Sequence, residues 1–75
     1  MKANIIKQRI GEELKRQRKL KKMTQEELSK KTGIGRTAIT KYENGTISIS
    51  MESFVIICNA LGCDYAEILE GIKTE

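Results

Sequence analysis

A chain of 75 residues, 39% of them apolar and with a formal net charge of +4, has room for one domain around one modest core. It contains no histidine and only two cysteines, Cys58 and Cys63. That removes the commonest general base, the histidine-paired nucleophiles and any complete zinc set, so neither an enzyme nor a metal or other cofactor is expected. No run of about eighteen apolar residues occurs and the first residues mix lysines with isoleucines, so a cytoplasmic protein without signal peptide or membrane span is expected.

Charge is unevenly spread. Residues 1–24 hold nine basic and two acidic groups, residues 25–50 four and three, and residues 51–75 one and five. A basic beginning and an acidic end suit a polyanionic partner along the first two thirds, although a basic surface helix without a partner would carry the same charge.

The first predicted helix starts between Ala3 and Ile5 and runs to about Lys21, with Ile6, Ile10 and Leu14 spaced by four and Gln17 or Arg18 continuing their face. Gly11 weakens this helix by up to about 1 kcal/mol relative to alanine, so it either permits a close helix contact or is simply tolerated. Six basic residues fall between Lys15 and Lys22, interrupted by Leu20 on a face that should be solvated.

Residues 24–45, TQEELSKKTGIGRTAITKYENG, read as two short helices joined by a glycine turn. Thr24 with Glu27 three residues later forms a capping box, which starts a helix near Gln25. Leu28 and Thr32 share one face of it beside the small Ser29, and Gly33 supplies the left-handed residue that ends it. The next helix runs from about Arg36 to Asn44 and turns Ala38, Ile39 and Tyr42 inward. Arg36, Thr37, Thr40 and Lys41 lie on its outer face, where guanidinium, hydroxyl and ammonium groups suit base edges and phosphates in a DNA major groove.

Beyond it, Ile47 and Ile49 alternate with polar residues and should both tuck under the core. Ser50 caps a helix in which Met51, Phe54, Ile57, Cys58 and Leu61 face inward and which Gly62 ends. Both cysteines fall at apolar positions, where the free thiol behaves as a small hydrophobe. Asp64 and Glu67 open a last short helix with Tyr65, Ile68 and Leu69. Gly71 should end the ordered part and leave residues 72–75 frayed. The expected fold is therefore all-α, five helices with short connections, in one domain spanning residues 1–75.

Taken together, IGEELKRQRKLKKMTQEEL, GIGRTAITKYENG and SMESFVIICNALGCDYAEIL resemble, in order and spacing, the phage-repressor-like helix-turn-helix family of the Cro/C1 (XRE) type. The resemblance covers residues 10–69 and implies a lambda-repressor-like DNA-binding domain with the second and third helices as the motif. It implies base contacts from Arg36, Thr37 and Lys41, with Thr40 as an additional one, and phosphate contacts from Gln25, Asn44 and Arg18. It also implies an ion pair between Arg18 and Glu43 that ties the first helix to the end of the third. Two positions depart from the family pattern: Lys22 stands where glycine is usual between the first two helices, and Gly35 caps the third where Ser or Thr is frequent.

The resemblance implies a transcriptional regulator, a repressor, bound to double-stranded DNA. One module of this size reaches about one half-site, so a homodimer on inverted half-sites is expected. Val55, Ile56 and Tyr65 either form the dimer interface or cover the edge of the monomer's own core. The alternative function is an antitoxin or anti-regulator whose main partner is another protein. No small-molecule ligand and no membrane partner is suggested.

Overall fold

The computed structural model describes residues 3–72, and among these five α-helices account for all the regular structure: α1 (Ala3–Leu20), α2 (Gln25–Thr32), α3 (Arg36–Glu43), α4 (Met51–Leu61) and α5 (Tyr65–Gly71). Local chemistry sets most of their ends. At α2 the Thr24 hydroxyl accepts from the Glu27 N–H at 3.0 Å while the Glu27 carboxylate accepts from the Thr24 N–H at 2.9 Å, so both halves of the capping box are made. Ser50 accepts from the Ser53 N–H at the start of α4, and Asp64 from the Ala66 N–H at the start of α5. Gly35 caps α3 without a side-chain bond.

Three helices end in the same way, with a left-handed residue and a pair of reversed hydrogen bonds that satisfy the last carbonyls. After α3 that residue is Gly45 (φ 71°) and after α4 it is Gly62 (φ 69°). After α1 it is Lys22 (φ 55°), whose N–H donates to the Lys19 carbonyl while the Met23 N–H donates to that of Arg18. Lysine thus occupies a conformation that glycine adopts without steric cost.

The core is built from one stripe of each helix: Leu14, Leu28, Ile39, Phe54, Ile57, Cys58, Leu61 and Ile68, closed by Ile72. Ile6, Ile10, Met23, Ile34, Tyr42 and Ile49 are half-buried against it. α1 packs most extensively on α3, and Gly11 permits the approach. A Cβ at Gly11 would lie 2.2 Å from the Tyr42 carbonyl oxygen and 2.8 Å from that of Glu43. The glycine is therefore a contact point between helices rather than a tolerated weakness.

Three expectations change. Ile47 is 38% exposed, because the connection after α3 turns only Ile49 toward the core. Met51 is 66% exposed: it opens α4, where no neighbouring helix reaches over the first turn, and the buried stripe begins at Phe54. Ile72 is buried instead of frayed, since it lies four residues beyond Ile68 and continues that residue's stripe into the core. Residues 73–75 lie outside the described residues.

Candidate nucleic-acid interface

The α2–α3 corner is fixed first by hydrogen bonds close in sequence. The Ser29 hydroxyl donates to the Ile34 carbonyl at 2.6 Å, the Thr32 hydroxyl donates back to the Leu28 carbonyl, and the Ile34 N–H donates to the Thr32 hydroxyl. Gly33 (φ 79°) allows the reversal between them. Leu28 and Ile39, both fully buried, meet across the crossing and hold α3 with its polar side outward.

A second layer of bonds joins α1, α2 and α3. Arg18 Nε and Nη2 donate to the two oxygens of Glu43 at 2.7 and 3.0 Å, and Arg18 Nη1 donates to the Met23 carbonyl at 2.8 Å. Gln25 Nε2 donates to Glu43 Oε1 at 3.1 Å, and Gln25 Oε1 accepts from the Thr40 hydroxyl at 3.0 Å. Arg18 and Glu43 are only 8% and 5% exposed, and among the described residues no buried side-chain nitrogen or oxygen lacks a partner. Hydrogen bonding to Glu43 raises the Arg18 pKa further, against the opposing effect of burial. Removing one member of such a buried, bidentate pair costs about 3–5 kcal/mol, because the other charge is left without compensation.

This geometry sorts the expected contact residues. Arg36, Thr37 and Lys41 are exposed on the outer side of α3. Asn44 is exposed where that helix ends, and Thr40 is half-buried with its hydroxyl turned toward Gln25. Gln25 keeps one amide hydrogen beyond the one given to Glu43. Arg18 is different: it is buried, and its guanidinium donates three bonds into the protein, two of them in the expected ion pair with Glu43. Of the expected dimer residues, Val55 is half-buried, while Ile56 and Tyr65 are 42% and 44% exposed.

The resemblance implies that Gln25 buttresses the recognition helix, but not its partners there, Glu43 and Thr40. No local pattern announces them, since the partners are 18 and 15 residues apart. The remaining reactive groups offer little chemistry. Burial first, and then the neighbouring Cys63, push the Cys58 thiol up to about 12, which makes it a poor nucleophile and a poor metal ligand at neutral pH. Among the described residues no group of three or more His, Cys, Asp or Glu could hold a metal ion, and no helix is long and apolar enough to cross a membrane.

A capped helix, a glycine turn and a second helix with its polar side free, braced from α1, define a helix-turn-helix protein. The family model for the helix-turn-helix matches residues 14–68, and the chain belongs to that Cro/C1-type family. Among curated relatives it is 40% identical over 60 residues to the antitoxin PezA of Streptococcus pneumoniae serotype 4 (strain ATCC BAA-334 / TIGR4), a match covering 80% of this chain and 38% of that protein. It is 38% identical over 66 residues to the uncharacterized HTH-type transcriptional regulator YqaE of Bacillus subtilis (strain 168), covering 88% of this chain and 57% of that one. The chain thus spans about two fifths and less than three fifths of these two relatives. Among solved structures it resembles the restriction-modification controller protein C.Esp1396I, seen as a tetramer on its natural 35 base-pair operator, with a TM-score of 0.80 at 25% identity over 89% of this chain and 88% of that one.

Proposed function

We propose that this protein is a sequence-specific, double-stranded DNA-binding transcriptional regulator that represses by occupying an operator as a homodimer in the cytoplasm. The observation that carries this reading is the outer face of α3, where Arg36, Thr37 and Lys41 stand exposed on a helix that the Arg18–Glu43–Gln25–Thr40 bonds hold rigidly. The likeness to an operator-bound controller protein supports it.

In this reading α3 enters the major groove and Arg36, Thr37 and Lys41 meet base edges, with Thr40 beside them. Arg36 contributes most to discrimination, since a planar guanidinium pairs with both acceptors of a guanine edge. The free amide hydrogen of Gln25 and the side chain of Asn44 bind phosphates on either side and set the register. Val55, Ile56 and Tyr65 on α4 and α5 form the contact between two copies.

Binding-site selection tests the reading. The parent should enrich an inverted repeat, and Arg36→Ala should lose about 1–3 kcal/mol and relax preference at one base pair per half-site. Asn44→Ala should weaken all sequences about equally. The logarithm of affinity should fall with that of salt with a slope of about −4 to −5, for about four to six phosphates neutralised per dimer. A slope near zero, or no enriched sequence, refutes DNA readout.

The identity to an antitoxin supports a second reading, in which the exposed side of α4 and α5 meets a different protein. That reading requires the purified chain to remain monomeric where the first requires it to dimerise, and sedimentation separates them.

A further inference from the structure

We propose that Thr40 reads a thymine in each half-site through its methyl group, because the hydrogen bonds behind α3 consume its hydroxyl proton. The inference rests on the DNA-binding reading above and adds a base identity to it.

The polarity of the bonds decides the matter. Arg18 can only donate, and it donates to both oxygens of Glu43. The Glu43 carboxylate in turn accepts from the amide nitrogen of Gln25 at 3.1 Å. That fixes which way the Gln25 amide faces: its nitrogen points at Glu43 and its oxygen at Thr40. An oxygen can only accept, so Thr40 must donate. The Thr40 hydroxyl has one proton, and its two partners within the protein, Gln25 Oε1 and the Arg36 carbonyl, are both acceptors at 3.0 Å. No proton is left for guanine O6 or N7, adenine N7 or thymine O4.

The hydroxyl oxygen could still accept from adenine N6 or cytosine N4, but it is held toward Gln25 and the Arg36 carbonyl, and the group we assign to the groove is the γ-methyl. Two heavy atoms other than the backbone sit on Cβ, and the hydroxyl oxygen is the one drawn back toward Gln25 and the preceding turn. Thr40 stays half-exposed on the same helix as Arg36, one turn earlier, and Lys41 beside it, both exposed. In the major groove the apolar feature that distinguishes one base from the others is the thymine C5 methyl. Arg18, on α1, thereby determines through Glu43 and Gln25 how Thr40 on α3 meets a base.

The test uses the sequence selected by the parent from a random duplex library, with each thymine replaced in turn by deoxyuridine, which keeps every hydrogen bond and removes only the methyl. One thymine per half-site should weaken parent binding about fourfold when replaced, the effect of losing one buried methyl. Thr40→Ser, which keeps the hydroxyl, should bind the thymine and deoxyuridine duplexes equally, whereas Thr40→Val should still distinguish them. If Thr40→Ser remains sensitive at every thymine that affects the parent, or if no thymine affects the parent, the inference is wrong while DNA readout stands. If Thr40→Val loses the distinction while Thr40→Ser keeps it, the threonine methyl is not what meets the thymine and the inference is likewise wrong. Failure of the parent to select any sequence overturns the proposed function and the inference with it.

Discussion

Replacing Gly11 by alanine would set two effects against each other, and the structure decides which prevails. Alanine in the middle of α1 gains up to about 1 kcal/mol of helix preference over glycine. Against that, its Cβ would sit 2.2 Å from the Tyr42 carbonyl oxygen and 2.8 Å from that of Glu43, both backbone atoms with no rotamer to escape into. Ordinary contact begins near 3.4 Å, so α1 and α3 would have to part by roughly 1 Å, which interiors as closely packed as these resist. Such overpacking costs about 1–3 kcal/mol. The same movement stretches the Arg18–Glu43 pair, whose 2.7 Å bond spans these two helices, and adds to the loss. The net expectation is a destabilisation of about 1–2 kcal/mol, or a fall in Tm of about 4–16 °C for a domain this small. Urea unfolding followed by helical circular dichroism measures it. Gly71→Ala, at a helical glycine with nothing within 4 Å of an added Cβ, should by contrast gain a few tenths of a kcal/mol. A Gly11→Ala protein as stable as its parent would refute the reasoning.

Lys22→Gly should stabilise the fold by about 0.5–1 kcal/mol, since relief of a left-handed lysine (φ 55°) outweighs the cost of glycine's extra freedom in the unfolded chain; the urea midpoint should rise with an unchanged slope. Glu27 is held below its ordinary pKa by the Thr24 backbone N–H and then by the Thr24 hydroxyl. A lowered folded-state pKa adds stability above the unfolded value and loses it as pH falls through the folded one. Glu27→Ala should therefore be less stable than the parent near about pH 6, and the difference should vanish near about pH 2, as paired unfolding curves would record. Ile56→Glu, on the exposed side of α4, should give monomers in sedimentation, because a charge in the contact between two copies is costly to desolvate; unchanged association would place that contact elsewhere.

Features that depend on neighbours a few residues away are legible in the chain alone. Thr24 with Glu27, Ser50 and Asp64 mark helix starts because a side chain reaches an amide two or three residues on, and Gly33 and Gly62 mark ends because the left-handed conformation is theirs at no steric cost. The spacing of Leu28, Ile39, Phe54, Ile57 and Leu61 likewise announces buried faces. Features that depend on which helix lies opposite emerge only when the helices are packed. Gly11 could be a contact point or a tolerated weakness by sequence, and the carbonyls of Tyr42 and Glu43 above it decide for the contact. Ile72 continues the stripe of Ile68 into the core, whereas Met51, equally apolar, opens a helix turn that nothing covers. Arg18 resembles its basic neighbours in sequence, and only the family resemblance pointed to Glu43, 25 residues away, whose carboxylate draws it out of solvent. Thr40 follows the same rule: a hydroxyl has one proton, and where that proton goes was settled by Gln25 on another helix.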